Sequence, residues 1–390
     1  MSPLIWARET ASVCKFSLGS IRFRLQPALI AVIGFCGVVL VFIGLLSIRD
    51  GITAVLSHTG SDDVAIVSLN GPGMVDLPMV RTIGQAPGVA HDSNGPLALG
   101  DMVTSLMVHK NKKQLAAVTL RGVGPQYKAI WNKMHIIKGH MFKAGLNQIV
   151  VGRSVAAQFP QLRLGKTFHW NYRDWKVVGI FASGGDMHES EVWADVHDVQ
   201  SAYNAGNKFS GVYVKLTSPA VFTKFKKSLK SNPQLNVSVD RESTYFAKES
   251  NGLNSVITIA GGLIALLMGI GAVFGALNTM YAAVSARTRE IATLRALGFS
   301  RSPVVLSVVA EALFLGAVGG IAGGAVGYLL FNGFKASTIG NGGMLAFQFS
   351  VTPTLLATGL FYALLMGFVG GLFPAVRAAR LPIATAIRDV

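Results

Sequence analysis

The run Leu29-Ile-Ala-Val-Ile-Gly-Phe-Cys-Gly-Val-Val-Leu-Val-Phe-Ile-Gly-Leu-Leu-Ser-Ile48 decides the architecture of this chain. Twenty residues pass without a charged side chain, and a helix of that length crosses a hydrocarbon core of about 30 Å. The run starts late, is too long for a secretory signal, and no small-x-small cleavage site follows it, so it reads as a retained anchor. Three more stretches behave alike: residues 253–284, residues 303–334 broken only by Glu311, and residues 349–376. The first two exceed 30 residues, so they must tilt or project beyond the bilayer. Residues 253–284 are expected to extend outward as a stalk.

Composition agrees. Half of the residues (51%) are apolar and only 14% are charged, against about a quarter in soluble domains. The formal net charge of +16 does not indicate nucleic acid, because the basic residues flank apolar runs instead of forming an aromatic-interleaved patch. The two cysteines, Cys14 and Cys36, lie before and inside the first run, so the segment between runs one and two has no disulfide framework.

Lys and Arg near the span ends set the orientation. The N-terminal segment carries Arg8, Lys15, Arg22 and Arg24; the link between spans two and three carries Arg287, Arg289, Arg295 and Arg301; the tail carries Arg377, Arg380 and Arg388. The link between spans three and four has only Lys335. The expectation is N-in and C-in. Residues 1–27 form a cytosolic or interfacial amphipathic segment and 28–48 the first span. Residues 49–252 lie outside, and 253–284 form the second span with its stalk. A cytosolic loop (285–302), the third span (303–334), a short outer loop (335–348), the fourth span (349–376) and a cytosolic tail (377–390) complete the chain. The fold class is a four-helix transmembrane protein with a large α+β domain inserted between helices one and two.

Within the outer segment, residues 64–69, 116–121, 175–181, 212–216 and 236–239 read as strands. Residues 74–85 read as a helix, and Val221, Phe222, Phe225 and Leu229 form a helical stripe backed by Lys224, Lys226, Lys227 and Lys230. A strand–helix–strand order at both ends suggests two lobes. His188, Glu189, Glu191, Asp195 and His197 crowd together but lack a recognisable ligand spacing, so they are expected on a solvated loop and no metal is assigned. Gly165-Lys-Thr167 is not a nucleotide loop: Pro160 stands where the first glycine belongs, and Phe168-His-Trp170 continues as a strand. No nucleophile is set beside a base.

The stretches Ile149-Val-Val-Gly-Arg-Ser-Val-Ala-Ala157, Leu164-Gly-Lys-Thr-Phe168 and Trp175-Lys-Val-Val-Gly-Ile-Phe181 resemble the periplasmic core domain of MacB-type ABC transporter permeases. Ala286-Arg-Thr-Arg-Glu-Ile-Ala-Thr-Leu-Arg-Ala-Leu-Gly298, the early Glu311 in a Gly-rich third span, and the closing Pro374-Ala-Val-Arg-Ala-Ala-Arg-Leu-Pro382 are similar to the FtsX/MacB permease domain. The resemblance runs along nearly the whole chain in the family's order. One departure is that MacB carries an ATPase domain before its first span, for which this chain leaves no room.

The resemblance implies a non-enzymatic permease subunit in a bacterial inner membrane, with its large domain in the periplasm. It implies a separate ABC ATPase dimer holding ATP-Mg, with no cofactor on this chain. A second permease copy or paralogue and a periplasmic adaptor are the further partners it suggests, in efflux by mechanotransmission. Ile291, Leu294 and Leu297 recur every three residues on a short helix, with Arg287, Arg289, Glu290 and Arg295 elsewhere on it and Gly298 as its stop. A helix this short is marginal alone, and the family's ATPase would supply its groove; the other reading is a basic loop on anionic lipid. Gly316, Gly320 and Gly324, and likewise Gly319, Gly323 and Gly327, make small-xxx-small rows for close packing inside one subunit or between two. At mid-bilayer Glu311 would need a partner or water, since a carboxylate there costs around 3 kcal/mol; near the interface it would reach solvent, and a structural or coupling role and a proton relay are the readings open for it. Competing readings are an extracytoplasmic sensor, for which no output domain is visible inside, an FtsX-like regulator of a periplasmic enzyme, and a secondary transporter or channel, for which no inverted repeat is visible.

Overall fold

The computed structural model describes Lys15, Gly19 and residues 25–111, 114–296, 300–340 and 343–380. Most of the expected amphipathic N-terminal segment, and the tail beyond Arg380, lie outside these residues. Among the described residues, four helices are long and apolar enough to cross a membrane: α1 (Leu25–His58), α6 (Glu242–Ala286), α8 (Arg301–Phe331) and α9 (Pro353–Ala379). They are apolar on nearly every side, as helices solvated by lipid must be. α9 is started by Thr352, whose side chain accepts from Leu355 N, with Pro353 in the first turn. α6 is 45 residues long.

The chain divides into two compact units, one of residues 1–50, 255–334 and 349–390, the other of residues 51–254 and 335–348. The second unit contains β1 (Val64–Leu69), α2 (Leu77–Gly84), β2 (Ala98–Asn111), β3 (Gln114–Val123), β4 (His135–Gly139), β5 (Gln148–Gly152), α3 (Arg153–Gln158), β6 (Thr167–Trp170), β7 (Arg173–Ala182), β8 (Glu191–Asp195), α4 (Val196–Ala202), β9 (Gly211–Lys215), α5 (Phe222–Lys230) and β10 (Val237–Arg241). Among the described residues, ten strands join in the order β10-β1-β9-β2-β3-β8-β5-β7-β4, with β6 paired to β7. The sheet is mixed, parallel only at β8/β3 and β7/β5, and β2 joins its two parts, pairing with β9 through residues 98–101 and with β3 through residues 102–111.

Both faces of this sheet are covered, which explains why several strands read as continuous apolar runs. Alternation with period two still sorts their side chains. Ala65, Val67, Ile149, Val151, Val192, Val212 and Val214 enter one core with Phe159, Trp175 and Phe225. Val64, Ile66, Val150, Trp193 and Tyr213 enter a second core with Trp131 and Phe181. The helix expected at 74–85 begins at Leu77, because Asp76 caps it by accepting from Met79 N.

Residues 335–348 are not a plain loop. They form a hairpin, β11 (Lys335–Gly340) and β12 (Gly343–Gln348), that belongs to the second unit. Leu345 and Phe347 are buried. Ala346 N donates to Ser190 Oγ at 2.9 Å, and Ser337 Oγ donates to Gln158 Oε1 at 3.0 Å. Gly51 allows the hairpin to close in, since a Cβ there would collide with the Gln348 carbonyl.

Candidate functional site: the link between the second and third long helices

The helix α7 (Thr288–Ala296) follows α6 after a single turn residue, Arg287. Thr288 Oγ1 donates to the Ser285 carbonyl at 2.9 Å, and Ile291 N to the Arg287 carbonyl at 2.9 Å, so the break between the two helices is bridged by local bonds. The nine residues are too few to hold a helix by propensity alone; what fixes them is contact at both ends.

At the first end, Arg287 Nη1 lies 3.2 Å from Glu311 Oε2 in α8, and its Nε donates to Glu290 Oε2 at 3.1 Å. The Arg287 and Glu311 side chains are only 12% and 7% exposed. A buried carboxylate is tolerated only if paired and hydrogen-bonded, and Arg287 supplies both. Small voids of about 20 and 10 Å³ flank Glu311, near the minimum for a water each. The partner demanded by Glu311 is therefore the loop itself.

At the second end, Arg295 Nη1 donates to the Ala379 carbonyl at 2.9 Å. That carbonyl belongs to the last turn of α9, where no intrahelical donor remains and the helix dipole favours a cation. Between the ends, Ile291 and Ala292 are buried, Ile291 within the apolar cluster that includes Val284, Val308, Ala375 and Ala378. Arg289, Glu290 and Thr293 are exposed. Leu297 and Gly298, and the Leu294 side chain, lie outside the described residues. On α9, Arg377 sits over the Tyr281 ring of α6 at 5.5 Å, a cation–π contact beside the loop.

α8 carries this linkage into the bundle on its two glycine rows. A Cβ on Gly316 would lie 2.8 Å from the Ala363 carbonyl, and one on Gly320 2.8 Å from Ala363 Cβ. On the other row, a Cβ on Gly319 would lie 2.9 Å from the Val32 carbonyl and one on Gly323 2.6 Å from the Cys36 carbonyl. Thus one row seats α9 and the other seats α1. Gly324 is looser, with Leu356 at 3.4 Å, and with Gly320 it lines an apolar groove of about 610 Å³ beside Tyr328 and Leu360.

In the other unit His188, Glu189, Glu191 and Asp195 are buried, contrary to the expected solvated loop, and of that segment His197 is exposed. Arg121 donates from Nε and Nη2 to Glu191 at 2.8 and 2.7 Å and from Nη1 to Asp101 at 2.5 Å. Burial pushes the Asp101 carboxyl up to about 6 against the pull of Arg121. Glu191 also meets strong desolvation, yet Arg121 and His188 hold it well below the usual carboxylate range. Glu189 binds Arg153 and the Ser183 and Gly185 amides, while Asp195 caps α4. Among the described residues no group of three or more His, Cys, Asp or Glu could hold a metal ion. Sequence reasoning missed this network because Arg121 and Asp101 had no visible relation to a segment 70 residues on.

Two family descriptions match. Residues 28–232 fit the MacB-like periplasmic core domain, and residues 262–383 the FtsX-like permease C-terminal domain. The chain is 26% identical to an uncharacterised ABC transporter permease of Methanocaldococcus jannaschii over 232 residues, 58% of each chain. It is 22% identical to YknZ, an uncharacterised ABC transporter permease of Bacillus subtilis, over 88% of this chain and 92% of that one. With the macrolide export ATP-binding/permease protein MacB of Hyphomonas neptunium it shares 37% identity over 34% of this chain, spanning only 19% of that relative. The periplasmic region of MacB from Actinobacillus actinomycetemcomitans aligns to 50% of this chain at 15% identity with a TM-score of 0.37. A core domain following the first long helix, then a permease domain built around α7 and a Glu-bearing, Gly-rich α8, place this chain in the MacB/FtsX family of ABC transporter permeases.

Proposed function

We propose that the chain is the membrane subunit of an ABC transporter in which α7 receives the movement of a separate ATPase dimer and passes it outward. The observation that carries this reading is the double attachment of α7: Arg287 to Glu311 of α8 at 3.2 Å and Arg295 to the end of α9 at 2.9 Å. A short helix held rigidly to two long ones, with Arg289, Glu290 and Thr293 left exposed, is suited to take a push. In this reading the loop faces the cytosol, the N- and C-termini lie on the same side, and the unit containing the sheet stands outside a bacterial inner membrane. The tight glycine seats against α1 and α9 support motion of the helices as a body, because close-packed interfaces shift between discrete states and do not deform smoothly.

ATP and Mg belong on the partner, and a second permease completes the pair. The outer unit then does its work by changing shape, in export that engages a periplasmic adaptor. Replacing Leu294 and Leu297 with Asp tests this directly. Association with the ATPase is expected to disappear while the protein still inserts in the membrane; unaltered co-purification contradicts the docking reading.

A further inference from the structure

On the second face of the sheet, Arg121 and His188 are enclosed with four carboxylates, Asp101, Asp186, Glu191 and Glu242, all of them buried. His188 Nδ1 faces Glu191 Oε2 at 3.3 Å, and its ring lies 5.7 Å from both Trp131 and Trp193 and 6.3 Å from Phe246. Its Nε2 is buried and has no partner. His188 lines a void of about 30 Å³ together with Gly60, Ser61, Trp131, Lys133, Ser183, Asp186 and Glu242. Glu242 opens α6, and its carboxylate accepts from Ser61 N at 3.0 Å and Trp131 Nε1 at 3.2 Å. Thr59, just past the end of α1, accepts at its hydroxyl from Met187 N at 3.0 Å. Gly60 has φ +91°, and a Cβ there would lie 2.9 Å from the Glu242 backbone, so the crossing needs glycine.

With His188 neutral, four carboxylates would share one arginine in a closed interior. Charges so placed must take up protons or find partners. We propose that His188 is a proton-operated latch fastening residues 59–61 and the start of α6 to the sheet. In the protonated ring both nitrogens donate, Nδ1 to Glu191 and Nε2 into the void toward Asp186 and Glu242. Loss of that proton leaves Asp186 and Glu242 facing Glu191 with Arg121 alone, and the stem residues come free.

The charged and titratable groups around His188 are Glu191 on β8, Asp186 before it, Arg121 on β3, Glu242 on α6 and Lys133 at the void. Burial alone favours the neutral ring, but Glu191 and Asp186 outweigh it and hold the proton above the ordinary histidine range. The folded state thus binds a proton the unfolded chain has released. Its contribution is complete below about pH 6.5 and is lost as pH rises through the raised value.

Hydrogen–deuterium exchange of the full chain in micelles tests the latch on peptides covering residues 59–63 and 242–250. After correction for intrinsic rates, opening is expected to increase by up to about tenfold per pH unit above neutrality, and His188→Gln should abolish this slope. Asp186→Asn, which removes one counter-charge from the closed state, should lower the pH at which the rise levels off and leave its start unchanged. A flat wild-type profile, a His188→Gln profile like the wild type, or an upper limit unmoved by Asp186→Asn each overturns the proposal.

Discussion

Truncating Arg287 to Ala should expose how the loop is joined to the bundle. The guanidinium and the Glu311 carboxylate are 3.2 Å apart and nearly buried. At an effective dielectric of about 20, charges at that distance attract by roughly 5 kcal/mol. Removing one partner of a buried pair typically costs about 3–5 kcal/mol because the other is left uncompensated, and the void beside Glu311 admits too little water to replace it. Glu311→Gln keeps an acceptor for Arg287, and Glu290 still faces its Nε, so its cost should be smaller, about 1–2 kcal/mol. In the double variant no stranded carboxylate remains. Its loss should fall short of the summed single losses by at least about 1.5 kcal/mol. Reversible unfolding in mixed micelles gives the three differences. Additive losses would mean that the two side chains do not depend on each other and would refute the pairing as the fastening of α7.

Arg295→Ala should weaken the last turn of α9 by about 1 kcal/mol through its lost bond to the Ala379 carbonyl, seen as faster amide exchange at residues 376–380. Gly319→Leu and Gly316→Leu should each destabilise the bundle by about 3 kcal/mol or more, since a Cβ alone already meets backbone carbonyls; Gly324→Ala, with 3.4 Å available, should cost much less in the same unfolding assay. Asp101, raised to about 6, favours its neutral form, so its contribution is present below about pH 3.8 and lost as pH climbs through 6. Asp101→Asn should remove that part of the pH dependence in chemical denaturation of the full chain.

The long apolar runs and the basic loop were legible because each signal is local. Residues 29–48 need no partner to declare their length, and Ile291 with Arg287 and Arg295 sits within one short segment. The hairpin at residues 335–348 was less visible. Alternating Leu345 and Phe347, after the sequence Asn341-Gly-Gly343, form a strand signal, but the signal is only a few residues long and lies between two much stronger apolar runs. The buried network was illegible for a different reason. Asp101, Arg121, Glu191 and Glu242 lie far apart in the chain, and each alone looks like an ordinary solvated polar residue. Only the covering of the second sheet face by Trp131, Trp193 and Tyr213 makes those positions interior.

The central claim is that α7 meets an ATPase. Its most direct test places a cysteine at Thr293, an exposed position on α7, in a variant lacking Cys14 and Cys36, and crosslinks in native membranes with the transporter's ATPase present. The account predicts a crosslink to the ATPase whose yield changes when ATP is bound. Modification of Thr293→Cys by an impermeant reagent from the outer side of the membrane, with no crosslink to the ATPase in any nucleotide state, would contradict it.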